Sequence, residues 1–192
     1  VFDYTDVNPI LASATLGADA GMPLQDYARL RFFEPMGMTH YAWERADDKG
    51  LVSSGWGLRL RAVDMAKLGR LVLHGGRWDG RQLVSQAWTR TMTAPSSAPW
   101  YGMYWWINDI VPTEPETHAM GFKGQFIVAL PERNAVVVMT SMLPIEGGLR
   151  EEEAIAFARI VAKSGLADFL NVNGGNNRDN DGLAYAIPNM AL

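Results

Sequence analysis

The stretch QFIVALPERNAVVVMTS, residues 125–141, constrains the fold of this chain more than any other part of it. Two apolar, β-branched runs flank PERN, whose composition is that of a tight turn. Each run has strand length, and β-branched side chains suit a pleated surface. A connection this short joins antiparallel neighbours, because a parallel pair needs a crossover of a dozen residues or more. Upstream, YGMYWWIN (101–108) has the same aromatic character and is predicted to supply a further strand.

The rest of the chain reads mainly as helix. Asn8 is expected to cap a helix that begins at Pro9, with Ile10, Leu11 and Ala14 on its inner face and a stop between Gly17 and Gly21. Pro23 opens a second helix with Leu24, Tyr27, Leu30 and Phe33 facing inward, ended by FFEPMGMTH. AVDMAKLGRLVLHGG places Met65, Leu68 and Val72 at helical spacing beside Ala66 and Gly69, small residues that indicate close packing, and Gly75-Gly76 stops it. After the turn RWDGRQL, Ser85 caps a short helix over SQAWTRTM. EEEAIAFARIVAKSG (151–165) reads as a closing helix, with acids in its first turn and Lys163 and Gly165 at its end. Helices, then strands, then a helix indicate an α+β fold, an antiparallel sheet flanked by helices. The expected division is a mainly helical segment over 1–98, the strands and closing helix over 99–165, and a polar tail over 166–192.

Composition narrows the function classes. A net charge of -4 at 20% charged residues offers no basic surface for nucleic acid, and no nucleic-acid partner is expected. No apolar run reaches the roughly 18 residues of a membrane helix. Without cysteine, disulfides and thiolate chemistry drop out and the compartment stays open: periplasmic, secreted and cytoplasmic settings are all compatible.

Two segments carry candidate chemistry, FDYTDVN at 2–8 and HAMGFKGQFIVALPERNAVVV at 118–138. Together with GWGLRLRAVDMAKLGRLVLHGGRWDGRQLVSQAW and YGMYWWI between them, they resemble the C-terminal half of the serine β-lactamase and penicillin-binding-protein superfamily. The likeness is to the class C-like branch of esterases, DD-peptidases and 6-aminohexanoate-oligomer hydrolases, and it runs over residues 1–163. It implies the corresponding β-lactamase/transpeptidase-like fold, here without its N-terminal part. It also implies acyl-enzyme formation on the serine of an S-x-x-K element, with no metal or organic cofactor. Position by position, Tyr4 matches the family tyrosine that shares general-base duty with the lysine, and Asp6 stands where Asn or Ser is usual. Ala119, Met120 and Gly121 match the K-T-G or H-x-G strand, and the backbone N–H of Phe122 would be an oxyanion donor. Substrate-binding positions are then Asp6, Ala119, Met120, Lys123 and Trp105.

Two departures bear on chemistry. A carboxylate at Asp6 opposes phenolate formation nearby and donates no hydrogen bond. Ala119 in place of Lys or His removes the cation that would bind a β-lactam carboxylate, which points to a small ester or amide substrate. No serine here is followed three places on by lysine. The nucleophile is therefore expected on an N-terminal segment or companion chain, the tyrosine loop and the Phe122 amide converging with it on one acyl carbon. Two other classes remain beside this one: an inactive binding or scaffold module, and a penicillin-binding peptidase or sensor.

The remaining candidates read as structural. His40, His74 and His118 have no ligand spacing, and His118 is expected at the surface. Ser53-Ser54 lacks a nucleophile-elbow context and reads as loop polarity. The Trp105-Trp106 pair is expected in the core and cleft wall. Asn177, Asp179, Asp181 and Gly182 resemble the opening of a calcium loop, but Pro188 occupies the position of its bidentate glutamate, so a solvated loop is expected.

Overall fold

A computed structural model describes residues 2–108, 114–122 and 124–141, and the backbone of 169–173. The chain divides into two compact units, 1–64 and 65–192. The closing helix over 151–165, Lys123 and the calcium-like loop all lie outside the described residues.

The first unit opens with α1, Val7–Ala20. Its N-cap is Asp6, not Asn8 as expected, so Pro9 sits in the third helical position, where a missing N–H still costs nothing. Gly21 closes it at φ 64. The inward face also departs from expectation: Leu11 is 61% exposed and Ala14 is exposed, whereas Ser13 is buried. A hydroxyl can occupy that face because it is hydrogen-bonded there, to Ile10 O at 2.8 Å.

The second helix, α2 (Leu24–Ala28), turns π-helical over Arg29–Phe33, with Glu34 N donating to Arg29 O and Met38 N to Phe33 O. Phe33 faces the core as expected, while five-residue spacing brings Ala28 in beside it and turns Leu30 outward, against the expectation from a 3.6-residue period. Phe33 packs against Tyr41 and Trp43, centroids 4.3 and 6.4 Å away. Those two residues belong to β1 (Tyr41–Trp43), paired antiparallel with β2 (Leu58–Leu60).

The helix α3, Ala62–Leu73, ends at Gly75 and Gly76 as expected, both at positive φ. In the second unit β3 (Arg77–Trp78) and β4 (Arg81–Gln82) form a hairpin. Its turn residues, Asp79 at φ 44 and Gly80 at φ 74, are the pair that a primed two-residue turn demands. Ser85 caps α4 (Gln86–Met92), accepting from Trp88 N at 3.1 Å.

The main sheet has the order β5-β6-β7-β8-β9, formed by Trp106–Ile107, Thr117–Gly121, Gln125–Leu130, Ala135–Thr140 and Phe169–Asn173. All pairs are antiparallel except β8 with β9. The β7–β8 hairpin is the one read from the sequence, its turn a single 3-10 stretch over Pro131–Arg133. Only Trp106 and Ile107 of the run 101–108 extend as a strand, because Tyr104 and Asn108 take left-handed φ values of 64 and 53. Gly69 of α3 lies against the sheet so closely that an added Cβ would sit 2.5 Å from Val136 Cγ1 and 2.8 Å from Ile127 Cγ2. The fold is therefore α+β, helices flanking a largely antiparallel sheet.

Candidate active site

In the first unit, Tyr4 lies three residues before α1 and is 56% exposed. Thr5 Oγ1 accepts from Val7 N at 3.3 Å and so tightens the entry to the helix. Burial, and after it the Asp6 carboxylate, hold the Tyr4 phenol above its ordinary value of 10.0. Both causes act in the same sense: each makes the negatively charged phenolate harder to form. A base function for Tyr4 accordingly calls for a cation close enough to offset both causes.

In the second unit, the end of β6 carries Ala119, Met120 and Gly121, paired with Ile127, Phe126 and Gln125 of β7. Ala119 and Met120 are half-buried, and Gly121 is exposed. Phe122 follows in the turn at 81% exposure. Gly124 at φ 85 lets the three-residue connection back to β7 close. Gly121 has a packing reason of its own, since a Cβ there would come within 3.0 Å of Gln125 Cβ. Gln125 cannot easily yield, because its side-chain amide donates to Ser141 O and accepts from Ser141 N.

The structure thus gathers Tyr4 with Asp6 ahead of α1, and Ala119 to Phe122 at the end of β6. Trp105 is half-buried, and its carbonyl accepts from Gly102 N at 2.8 Å. It is the neighbouring Trp106 that carries an aromatic stack. Trp100 lies 5.5 Å from it at 14°, Tyr101 edge-on at 5.0 Å, and His118 6.3 Å away at 15°.

His118 overturns the expectation of a surface residue. It is 2% exposed, and its Nδ1 lies 2.9 Å from Oε2 of the equally buried Glu116. Glu116 stands just ahead of β6, two residues before His118, so the pair is recoverable only once the start of that strand is known. Ser53 and Ser54 are likewise more than loop polarity: Ser53 is fully buried and Ser54 is hydrogen-bonded to α1. Among the described residues no group of three or more His, Asp or Glu could hold a metal ion. Nor is any described helix long and apolar enough to cross a membrane.

The family model for beta-lactamase matches residues 1–160. No curated protein matches the chain. Among solved structures, a candidate 6-aminohexanoate-dimer hydrolase from Bacillus anthracis superposes with a TM-score of 0.70 at 19% identity, over 85% of this chain and 44% of that one. A penicillin-binding protein from Bacillus halodurans gives 0.61 at 18%, over 83% and 56%. The octameric penicillin-binding protein homologue from Pyrococcus abyssi gives 0.54 at 19%, over 69% and 36%. The chain spans little more than half the length of these proteins at most. At such identities the likeness is one of fold.

Proposed function

Because the chain belongs to the beta-lactamase family, we propose that it is the tyrosine-bearing and oxyanion-bearing part of a serine hydrolase that cleaves small esters or amides. What supports this reading is the family match over residues 1–160, taken with the resemblance of Tyr4, ahead of α1, and of Gly121-Phe122, at and just beyond the end of β6, to the family's site positions. The nucleophilic serine and its S-x-x-K lysine belong to a segment or companion chain outside these residues. A lysine ammonium beside the phenol offsets what burial and Asp6 do to it, so that the Tyr4 oxygen takes the serine proton and returns it to the leaving group. The Phe122 N–H, with the amide of the serine, stabilises the oxyanion of the tetrahedral intermediate. Asp6, Ala119, Met120, Lys123 and Trp105 shape the substrate side. With alanine at 119 the strand offers no cation for a carboxylate, which favours neutral acyl groups over β-lactams.

Fluorophosphonate labelling and p-nitrophenyl butyrate turnover by the intact hydrolase test this reading. One labelled serine is expected, in an S-x-x-K context, with Tyr4→Phe lowering kcat by about 10²- to 10⁴-fold. Absence of label on any serine refutes it and leaves the inactive binding or scaffold module, which the Asp6 and Ala119 departures favour. Labelling by fluorescent penicillin with no ester turnover selects a penicillin-binding peptidase or sensor, in line with the name of the Bacillus halodurans neighbour.

A further inference from the structure

Behind the tyrosine loop stands a segment that the proposed reaction does not use. Ser54 Oγ donates to Pro9 O at 2.7 Å, across 45 residues of sequence, and lies 2.9 Å from Ser13 Oγ. Pro9 and Ser13 both belong to α1, whose first residue follows Asp6 directly. Next to Ser54, Gly55 meets Asp6 itself: an added Cβ would sit 3.0 Å from Asp6 Cβ, 3.1 Å from its Oδ1 and 3.2 Å from its Cα. The positive-φ glycines do not include Gly55, so what a side chain here would meet is crowding: Asp6 would have to give by a few tenths of an ångström. The segment has a firm base as well. Ser53 N donates to Glu44 O at 2.9 Å, and Trp43 Nε1 donates to Ser53 O at 2.9 Å, which ties the three residues to the end of β1.

We infer that Ser54 and Gly55 are positioning residues for Tyr4, Ser54 by hydrogen-bonding the first turns of α1 and Gly55 by letting Asp6 approach. The inference rests on the reading of Tyr4 as the proton-transfer group. Tyr4 stands two residues before Asp6 and three before α1, so the placing of that short stretch of backbone bears directly on where the phenol oxygen lies. After burial, the Asp6 carboxylate raises the phenol's affinity for its proton, and the close approach of Gly55 bears on where Asp6 lies. A displacement of this loop therefore changes both the aim of the oxygen and its affinity for a proton, and transfer over a hydrogen-bond distance is sensitive to each.

The test uses the intact hydrolase labelled with 13Cζ-tyrosine, the Tyr4 resonance being assigned by its loss in Tyr4→Phe. Ser54→Ala and Gly55→Ala are each expected to lower kcat by about 10- to 100-fold while KM changes little. Each is also expected to move the pH midpoint of the Tyr4 resonance. Gly69→Ala, which disturbs the second unit, is expected to leave that midpoint where it is. An unmoved Tyr4 midpoint in both Ser54→Ala and Gly55→Ala overturns the inference, whatever happens to kcat. If Tyr4→Phe keeps the kcat of the parent, the catalytic reading of Tyr4 fails, and the midpoint alone then decides whether the two residues position it.

Discussion

Gly69→Ala sets two opposed effects against each other. Alanine in a helix interior is favoured over glycine by about 1 kcal/mol, which alone predicts a more stable protein. The new methyl, however, would lie 2.5 Å from Val136 Cγ1 and 2.8 Å from Ile127 Cγ2, where carbon atoms need roughly 3.5–4.0 Å. Relief means a movement of about 1 Å by one or both partners. Neither is a flexible side-chain end: both methyls sit on β-branched residues of β7 and β8, strands paired on both sides within the sheet. Overpacking costs about 1–3 kcal/mol, and two contacts this short against β-branched residues of paired strands belong at about 2–3, so after the gain of about 1 kcal/mol the net is a loss of roughly 1–2 kcal/mol. In a chain of this size that lowers Tm by about 2–8 °C, measurable by thermal unfolding followed in the far-ultraviolet. Val136→Ala in the same background is expected to recover part of the loss, with a coupling of about 1 kcal/mol in the double-mutant cycle. A Tm equal to or above that of the parent would refute the reasoning, because helix propensity would then have won and α3 could not lie this close to the sheet.

Other substitutions separate the remaining interactions. His118→Leu removes the imidazole from a buried carboxylate and is expected to cost about 3–5 kcal/mol in urea unfolding. Glu116→Gln combined with it is expected to cost less than the two single changes summed. Ser53→Ala should raise stability by about 1 kcal/mol, since the Ser53 hydroxyl is buried without a hydrogen-bond partner among the described residues; a lower Tm would show that the hydroxyl is satisfied in solution. Tyr4 titrates with a folded value raised above that of the unfolded chain, so its contribution to stability is fully present below about pH 10 and is lost as pH rises through the folded value. Tyr4→Phe is expected to flatten the alkaline side of the stability profile, and an unchanged slope there would contradict the direction of the shift.

What the sequence made readable was local chemistry with a unique solution. The β7–β8 hairpin, the Ser85 cap and the Gly75-Gly76 stop each follow from residues within a few places of one another, and each appears where expected. The inward faces of the first two helices did not follow. In α2 the switch to π-helical spacing replaces the assumed period, and nothing in Arg29–Phe33 announces it. In α1 the buried Ser13 is made tolerable by its own bond to Ile10 O and by Ser54, a partner 41 residues away. His118 was misplaced because its acid lies two residues earlier, just ahead of β6, a relation visible only once the start of the strand is fixed. Around the candidate positions, the contacts of Ser54 with α1, of Gly55 with Asp6 and of Gln125 with Gly121 join residues whose meeting depends on the folded chain, and these were not readable.

The crowding at Gly121 separates two kinds of evolutionary memory. A lineage that abandoned hydrolysis would keep this glycine as long as the Gln125 amide stayed locked to Ser141, because any larger side chain would collide with that lock whether or not a substrate ever arrived. The ring at position 4 faces solvent over more than half its surface, so the fold depends less on it and it drifts sooner when selection on it lapses. Among homologues, then, loss of the tyrosine should come before loss of the glycine, and a chain that has kept the ring carries the more telling sign of recent use.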